Sequence, residues 1–306
     1  MKVLVVGSKG LVGSSVVRTL SSQKDSYDVI SSNRSDTNLF EFKETKKLIE
    51  KCQPDALIIA AARVGGIVAN NTKRTEFILE NLKINMNLLE SCIPYPNIKI
   101  INLGSSCIYP LEALNPIIED SFMTGKLEPT NSPYAMAKIA SIEIGRSISE
   151  QFGHNVINLM PTNLYGPNDF YSKTDSHVIP GLIYRMHNAK IKRENAFYIW
   201  GTGSPLREFL YVDDLALAIK FILDNKISQD LLNIGSGQEI SIKNLAMKIK
   251  KIIGYEGSLD FDSTKPDGNP RKLLDSSAIN NLGWESSISL DEGLEKSYEW
   301  FLNNKI

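Results

Sequence analysis

The chain is poor in the residues that build metal centres and disulfide frameworks. Its 306 residues include only three cysteines and three histidines. Cys52, Cys92 and Cys107 are odd in number and lack the CxxC spacing of a zinc site. We therefore expect no metal site and no disulfide framework, and this cysteine usage fits a reducing compartment.

Long hydrophobic runs and an excess of charge are also absent. The longest apolar stretch, 56–62, falls far short of the roughly 20 residues that span a bilayer. The opening Met-Lys-Val-Leu-Val-Val does not combine the regions of a signal peptide. Lys and Arg number 34 against 35 Asp and Glu, which leaves no basic footprint for DNA or RNA. We expect a cytoplasmic protein with neither nucleic acid nor a membrane as partner.

Short β-branched runs alternate with longer amphipathic segments through the first half of the chain. The predicted strands are Lys2–Val6, Asp28–Ser31, Ala56–Ile59, Lys99–Leu103 and Val156–Met160. One predicted helix starts at Val12, and three others cover Lys43–Cys52, Asn81–Cys92 and Tyr134–Phe152. This alternation predicts an α/β fold with a Rossmann-type, doubly wound parallel sheet whose apolar strands are covered on both faces.

The pattern loosens at 165–169, where Gly, Pro, Asn and Asp cluster. We predict a cofactor-binding domain over 1–164 and a smaller α/β substrate domain over 165–306. The segment 207–236 resembles the first half in texture, with a strand and helix in Arg207–Asp224 and a strand at Leu231–Ile234. We expect it to return to the main sheet.

A glycine-spaced segment, Gly7-Ser8-Lys9-Gly10-Leu11-Val12-Gly13, follows the first strand and opens a helix. Glycines at this spacing permit a tight turn and a close approach to a pyrophosphate, and the helix N-terminus offers free N–H groups. A plain strand–turn–helix connection is the alternative. We predict a dinucleotide site over these residues.

The end of the second strand bears on the choice of dinucleotide. A free ribose 2′-hydroxyl usually meets an acid there, whereas a 2′-phosphate favours basic neighbours. This strand ends Ser31-Ser32-Asn33-Arg34, and Lys9 lies in the first loop. The sequence favours NADP(H) over NAD, with a merely solvated Arg34 as the alternative.

Tyr134 and Lys138 stand four residues apart on a predicted helix and therefore share one face. A nearby ammonium favours the phenolate, so the pair is suited to moving a proton to or from a carbonyl oxygen. Ser105 follows the fourth predicted strand, where its hydroxyl would reach the same oxygen. Tyr-x-x-x-Lys alone is a weak pattern, and Ser105 strengthens it.

Together these features resemble the extended short-chain dehydrogenase/reductases that modify nucleotide sugars. Over essentially the whole chain the sequence resembles the GDP-L-fucose synthase family. The segments that carry the closer resemblance are RVGGIVANNT (63–72), GSSCIYP (104–110), LEPTN (127–131), MPTNLYGP (160–167), SHVIP (176–180) and KPDG (265–268).

The resemblance implies two reactions in one site. That family epimerises GDP-4-keto-6-deoxy-mannose at carbons 3 and 5 and then reduces the ketone with NADPH. It maps Cys107 as base and His177 as acid, with Tyr134 and Ser105 holding the enolate oxygen. Tyr134 then supplies a proton as hydride arrives, and Lys138 also holds the nicotinamide ribose.

The resemblance also implies binding residues and an assembly. Beyond the first loop and Arg34, the expected cofactor contacts are Leu103, Gly104, Lys138, Pro161, Asn163, Leu164 and His177. The expected contacts to the GDP-linked 4-keto-deoxy sugar are Asn163, Arg185, Trp200, Arg207 and Asp267, although Trp200 could equally be plain core. A homodimer built on 81–92 and 134–152 is expected.

Three rival functions remain open at this point. A dehydratase needs a carboxylate where Cys107 stands, which disfavours it. A 4-keto reductase of a related GDP-deoxy-hexose or GDP-deoxy-heptose, without epimerase activity, is compatible with the sequence. A non-catalytic NADP-binding sensor would be free to lose Ser105, Tyr134 or Lys138, and all three are present.

Overall fold

Strands and helices alternate along the chain, and the computed structural model describes residues 1–172, 176–265 and 267–304. The strands are β1 (Lys2–Val6), β2 (Asp28–Ser32), β3 (Ala56–Ile59), β4 (Lys99–Leu103), β5 (Val156–Pro161), β6 (Asn163–Tyr165), β7 (Ala196–Trp200), β8 (Leu206–Tyr211), β9 (Leu231–Ile234), β10 (Glu239–Ser241), β11 (Ser258–Asp262) and β12 (Arg271–Lys272). The helices are α1 (Leu11–Ser21), α2 (Phe42–Cys52), α3 (Ile67–Thr72), α4 (Arg74–Cys92), α5 (Ser132–Phe152), α6 (Val178–Ile191), α7 (Val212–Asp224), α8 (Ile242–Ile253), α9 (Ser277–Leu282) and α10 (Leu290–Asn304). Over these ranges, none of the helices has the length and apolar character needed to cross a membrane.

The main sheet is parallel throughout and has the strand order β2-β1-β3-β4-β5-β9. Alternate side chains of β1 enter different cores. Val3 and Val5 pack on one face of the sheet and Leu4 and Val6 on the other, all fully buried. Both faces are therefore covered, and the predicted Rossmann-type doubly wound sheet is confirmed. The strand order changes direction between β1 and β3, and ligands bind outside the carboxyl ends of strands at such a point.

A second, smaller core lies beside this sheet. β8 pairs with β6, β10 and β12, and β7 pairs with β11. Helices α6, α8 and α10 pack against one another over these strands and bury apolar side chains such as Leu182, Leu245, Ile249 and Phe301. The location of the domain boundary at 164 stays a prediction.

The return segment 207–236 is divided between the two parts of the molecule. Leu231–Ile234 joins the main sheet beside β5, and α7 packs against α1. The expectation that the strand beginning near Arg207 also joins the main sheet is wrong, because β8 belongs to the small sheet. The apolar character of this strand is compatible with either sheet, and its hydrogen bonds to distant segments place it in the small one.

Two helical boundaries also differ from the sequence prediction. α3 was not expected, and α4 begins at Arg74, seven residues before the predicted start at Asn81. Neither helix has a side-chain cap at its N-terminus. The signal that marks a helix start in a sequence is therefore missing at both places.

The glycines of the first loop allow β1 and α1 to meet closely. Gly7 has φ +80°, a conformation that side chains rarely adopt, and a Cβ on it would lie 2.6 Å from the Ala61 nitrogen. A Cβ on Gly13 would lie 2.1 Å from the Gly7 carbonyl oxygen. Backbone atoms lie directly against both glycines, so neither position can accept a side chain without moving the loop.

Gly13→Ala is expected to lower the free energy of unfolding by more than about 2 kcal/mol, because the new methyl meets the backbone of Gly7 and Ser8. Gly10→Ala is the matched control. A Cβ at Gly10 lies 3.5 Å from its nearest neighbour, an ordinary contact, so a loss below about 1 kcal/mol is expected. Urea unfolding measures both changes, and equal losses in the two variants would contradict the packing argument.

Candidate active site

The first loop presents an uncapped helix end at the carboxyl edge of the main sheet. α1 begins at Leu11 after Gly10, and no side chain caps its N-terminal N–H groups. The Gly7 and Ser8 nitrogens donate to the Ser32 carbonyl oxygen, over 2.9 and 3.1 Å, which ties the loop to the end of β2. Free N–H groups and a positive dipole end form an anion site of the kind a pyrophosphate occupies. The predicted cofactor residues Lys9, Val12 and Gly13 lie in or directly after this loop.

Arg34 stands two residues beyond the strand end that holds this loop. It is exposed, with its guanidinium 5.5 Å from the centre of the Phe40 ring. The nearby Asp36 accepts from the backbone and side chain of Asn33, so its carboxylate is already engaged. Arg34 is thus available to bind a ligand, whereas Asp36 is not. This arrangement suits a ribose 2′-phosphate better than a 2′-hydroxyl.

Tyr134 and Lys138 lie on the first two turns of α5, whose start is fixed by Pro133. The Lys138 ammonium donates to the Leu103 carbonyl oxygen at 2.7 Å and lies 5.9 Å from the centre of the Tyr134 ring. The Ser105 hydroxyl lies close enough to the Tyr134 phenol to lower its pKa. The structure thus brings together three of the five predicted catalytic residues around one hydroxyl.

The protonation of this group differs from the sequence expectation. Burial is the main cause that raises the pKa of Tyr134, the nearby Cys107 side chain raises it further, and Ser105 lowers it less. Although Tyr134 keeps some contact with solvent as a residue, its hydroxyl lies among dense protein atoms. Burial also lowers the pKa of Lys138 to about 8. The expectation that the Lys138 ammonium brings the pKa of Tyr134 closer to neutrality is therefore wrong for the protein without ligands, and Tyr134 is a neutral hydrogen-bond donor.

Cys107 lies in a short 3-10 turn, Ser106–Ile108, directly after β4. The Ser105 hydroxyl caps this turn by accepting from the Cys107 nitrogen at 3.3 Å. The Cys107 sulfur is partly exposed and faces two donors, the Asn131 side-chain nitrogen at 3.5 Å and the Lys272 ammonium at 3.7 Å. Sequence reasoning missed both as site residues. Asn131 lay within a segment that carried the family resemblance, whereas nothing in the sequence marked Lys272.

His177 stands at the N-terminus of α6, with a side chain that is 45% exposed. Its Nδ1 lies 4.0 Å from Oδ1 of Asp169, a nearly buried carboxylate. Within the described residues it makes no hydrogen bond to the turn that holds Cys107. The structure therefore places His177 beside an orienting acid, and its approach to the sugar stays a prediction.

The predicted substrate residues surround the small sheet. Arg207 lies on β8, and burial lowers its pKa while Asp267 opposes that shift. Arg185 stacks 5.2 Å from the centre of the Phe197 ring, and burial lowers its pKa too. Trp200 ends β7 with 54% of its surface exposed, which does not fit a core residue.

Asp267 is already engaged within the protein. Its two oxygens accept from the Thr202 nitrogen at 2.9 Å and the Thr202 hydroxyl at 2.7 Å. A Cβ on Gly201, which has φ +78°, would lie 2.2 Å from the Asp267 carboxylate. Asp267 therefore fixes the turn that follows Trp200, and any contact it makes to a ligand comes in addition.

The remaining predicted contacts line the carboxyl edge of the sheet. Leu103 and Gly104 end β4, and Pro161 ends β5 with Asn163 and Leu164 directly beyond it in β6. Asn163 is exposed and donates to the Glu208 carbonyl oxygen at 2.8 Å. Among the described residues, no group of three or more His, Cys, Asp or Glu side chains is placed to hold a metal ion.

A glycine loop for a dinucleotide and a Ser-Tyr-Lys group at a parallel sheet edge define a nucleotide-dependent enzyme of the Rossmann type. Residues 3–235 match the family model described as the NAD dependent epimerase/dehydratase family, and the chain belongs to that family. The chain is 46% identical over 303 residues to GDP-L-fucose synthase 1 of Arabidopsis thaliana, covering 99% of this chain and 94% of the relative. The resemblance to GDP-L-fucose synthases stated from the sequence is confirmed.

Solved structures agree with this fold over almost the whole chain. A GDP-L-fucose synthetase from Naegleria fowleri bound to NADP has a TM-score of 0.90 at 27% identity, covering 99% of this chain and 94% of that one. A GDP-6-OMe-4-keto-L-xylo-heptose reductase from C. jejuni also has a TM-score of 0.90, at 30% identity with 99% and 98% covered.

Lys138→Met is expected to raise the free energy of unfolding at pH 7 by about 1–3 kcal/mol while abolishing activity. A Lys with an ordinary pKa of 10.5 that falls to about 8 when folded costs stability below pH 8. The lost bond to Leu103 offsets part of the gain. Between about pH 8 and 10.5 the unfolded chain binds more protons than the folded protein, so the free energy of unfolding of the parent rises with pH. The stability advantage of Lys138→Met over the parent therefore shrinks across this range. Urea unfolding across this range measures it, and a gain independent of pH would contradict the assignment.

Proposed function

We propose that this protein is a bifunctional enzyme that epimerises GDP-4-keto-6-deoxy-mannose at carbons 3 and 5 and reduces it to GDP-L-fucose with NADPH. The observation that carries the proposal is the convergence of Ser105, Tyr134, Lys138 and the Cys107 sulfur at one sheet edge. The sequence similarity to GDP-L-fucose synthases along the whole chain supports it.

Epimerisation begins with a proton on a carbon beside the ketone. The Cys107 thiolate takes it, so an S–H bond forms as the C–H bond breaks, and the electron pair moves onto the ketone oxygen. Neutral Tyr134 and Ser105 donate hydrogen bonds to that enolate oxygen. His177 then returns a proton to the carbon from the opposite face, which inverts its configuration.

Reduction uses the same oxygen contacts. When bound, NADPH supplies a hydride to carbon 4. Tyr134 gives its proton to the ketone oxygen as negative charge develops there, which its raised pKa permits because the proton is present at neutral pH. Lys138 holds one donor bond to the Leu103 carbonyl and keeps further donors for the nicotinamide ribose.

Binding is divided between the two sides of the cleft. The uncapped start of α1 receives the cofactor pyrophosphate, and Arg34 with Lys9 receives the 2′-phosphate. Arg185 and Arg207 bind the diphosphate of GDP, and exposed Trp200 packs on the sugar or base. Asn163 faces the sugar from the sheet edge.

The assembly and location belong to the same proposal. Exposed apolar residues on α4 and α5, Leu79, Met86, Met136 and Phe152, support a homodimer built on these helices. The three cysteines are unpaired, which supports a cytoplasmic location.

The rival functions make different products. A reductase of a GDP-linked heptose has structural relatives in its favour, among them two heptose reductases at 30% and 32% identity, against 46% for the fucose synthase. A reductase without epimerase activity has no need of a sulfur facing two donors. A sensor has no need of the Ser-Tyr-Lys group.

Product analysis by NMR with GDP-4-keto-6-deoxy-mannose and NADPH is expected to show inversion at carbons 3 and 5 and reduction at carbon 4.

In deuterated water, Cys107→Ser is expected to lower hydrogen exchange at carbons 3 and 5 by at least about 100-fold, because the base is lost. Cys52→Ser, at the end of α2, is the control and keeps normal exchange. Reduction without inversion favours the plain reductase, and absence of NADPH oxidation favours the sensor.

Arg34→Gln is expected to raise KM for NADPH by roughly tenfold to a hundredfold, because a charge-assisted bond to the 2′-phosphate is lost. KM for NADH should change little. Arg18→Gln, which removes an exposed arginine of α1 paired with Asp213, serves as control. Steady-state kinetics with both coenzymes provides the measurement, and equal changes with the two would assign Arg34 a structural role.

A further inference from the structure

The proposed epimerisation needs an anionic sulfur, because a thiolate and not a thiol removes protons. The turn that carries Cys107 supplies no positive charge of its own, since Ser105 and Ser106 precede the cysteine and Ile108 follows it. The charge must come from another element. One cationic side chain meets this requirement, and a neutral one adds a second hydrogen-bond donor.

We propose that Lys272 is a positioning residue that stabilises the Cys107 thiolate, with Asn131 as the second donor. The Lys272 ammonium lies 3.7 Å from the sulfur and the Asn131 side-chain nitrogen 3.5 Å from it. Both distances are within hydrogen-bond range for sulfur. The inference rests on the proposed function, in which Cys107 is the base.

Lys272 is available for this role because it has no acidic partner among the described residues. Its neighbour Arg271 forms an ion pair with Glu239, at 2.8 Å. In the part of the chain that the structure describes, no carboxylate lies within ion-pair distance of the Lys272 ammonium. A partly buried ammonium 3.7 Å from a sulfur favours the ionised form of that sulfur by direct attraction.

The strand that carries Lys272 is held on both sides. β12 runs parallel to β8, with Lys272 opposite Arg207. The next two nitrogens, of Leu273 and Leu274, donate to Asn115 at 2.8 Å and to the Glu208 carboxylate at 3.1 Å. The backbone from which the lysine extends is thus fixed, which limits the positions that the ammonium reaches.

Asn131, the second donor to the sulfur, is also held in position. It immediately precedes α5, and its backbone nitrogen donates to the Glu128 carboxylate at 3.0 Å. Its side-chain oxygen is buried and has no hydrogen-bond partner among the described residues. The amide nitrogen is directed to the sulfur, and a neutral donor there adds a bond to the anion without adding charge.

The negative sulfur also affects the neighbouring phenol. Attraction of the Tyr134 proton by Cys107 raises the pKa of Tyr134, in addition to burial. An anionic base beside a protonated donor is the combination that enolate formation needs, since one group takes a proton while the other donates to oxygen. Lys272 fixes which of the two groups carries the charge.

Alkylation of the free protein with iodoacetamide at neutral pH tests the proposal without any sugar substrate. Burial raises the pKa of Cys52 and raises that of Cys92 to about 12, so both react slowly and Cys107 is labelled first. Lys272→Met is expected to slow this labelling about tenfold, together with a loss of thiolate ultraviolet absorbance. Lys272→Arg, which keeps the charge, should restore most of the rate.

Arg271→Met is the matched control, because it alters the same two-residue strand without touching the sulfur. It should label at the parent rate. Equal labelling of Lys272→Met and the parent overturns the proposal, and so does equal slowing in Lys272→Met and Arg271→Met. If Lys272→Met does not fold, Lys272→Gln gives the same comparison with a neutral side chain that keeps a polar end.

The outcomes for this proposal and for the proposed function are separable. Labelling needs only the thiolate, whereas hydrogen exchange at carbons 3 and 5 needs the sugar and the full site. A protein that labels as expected but does not exchange retains Lys272 as the partner of Cys107 and refutes epimerase activity. Normal exchange with unchanged labelling in Lys272→Met refutes only the role of Lys272.

Discussion

One buried carboxylate holds the substrate side of this protein in place. Glu208 is fully buried on β8 and accepts from the Gly237 nitrogen at 2.8 Å and the Leu274 nitrogen at 3.1 Å. Its backbone carbonyl accepts from Asn163. Burial raises the pKa of Glu208 and these bonds lower it, so the group is tolerable only because its partners are in position. Since Leu274 lies two residues after Lys272, the same carboxylate fixes the strand that brings an ammonium to the catalytic edge.

The catalytic edge itself works against folding. Lys138 is 2% exposed and holds its proton less tightly than lysine does in water. Burying such a group is unfavourable, and its hydrogen bond to the Leu103 carbonyl recovers only part of the cost. The apolar side chains of β1, β3 and β4 are buried on both faces of the sheet, and this burial offsets the free-energy cost of burying Lys138. Stability comes from the middle of the sheet, and chemistry is confined to its carboxyl edge.

The parts predictable from the sequence are those set by local pattern. The ends of β1, β3 and β4 match the prediction, because each strand is a short run rich in aliphatic residues. Tyr134 and Lys138 share a helix face as their spacing requires. The pairing of β8 was not predictable, because Gly237 and Leu274 lie 29 and 66 residues from Glu208 and decide its neighbours only after the chain has folded. The domain boundary and the approach of His177 remain predictions.

The surroundings of Cys107 show the same limit in chemical terms. The sequence identified the cysteine by its place after a strand, but its donors lie 24 and 165 residues away. No sequence motif around Lys272 indicates its role. That role depends on the lack of a nearby acidic side chain among the described residues, which is evident only in the folded chain. The expected shift of Tyr134 towards the phenolate was wrong for the same reason, since burial by distant parts of the chain raises its pKa. With Lys272 assigning the negative charge to sulfur and burial keeping Tyr134 protonated, one oxygen site can serve enolate formation and ketone reduction without changing the charge of its donors.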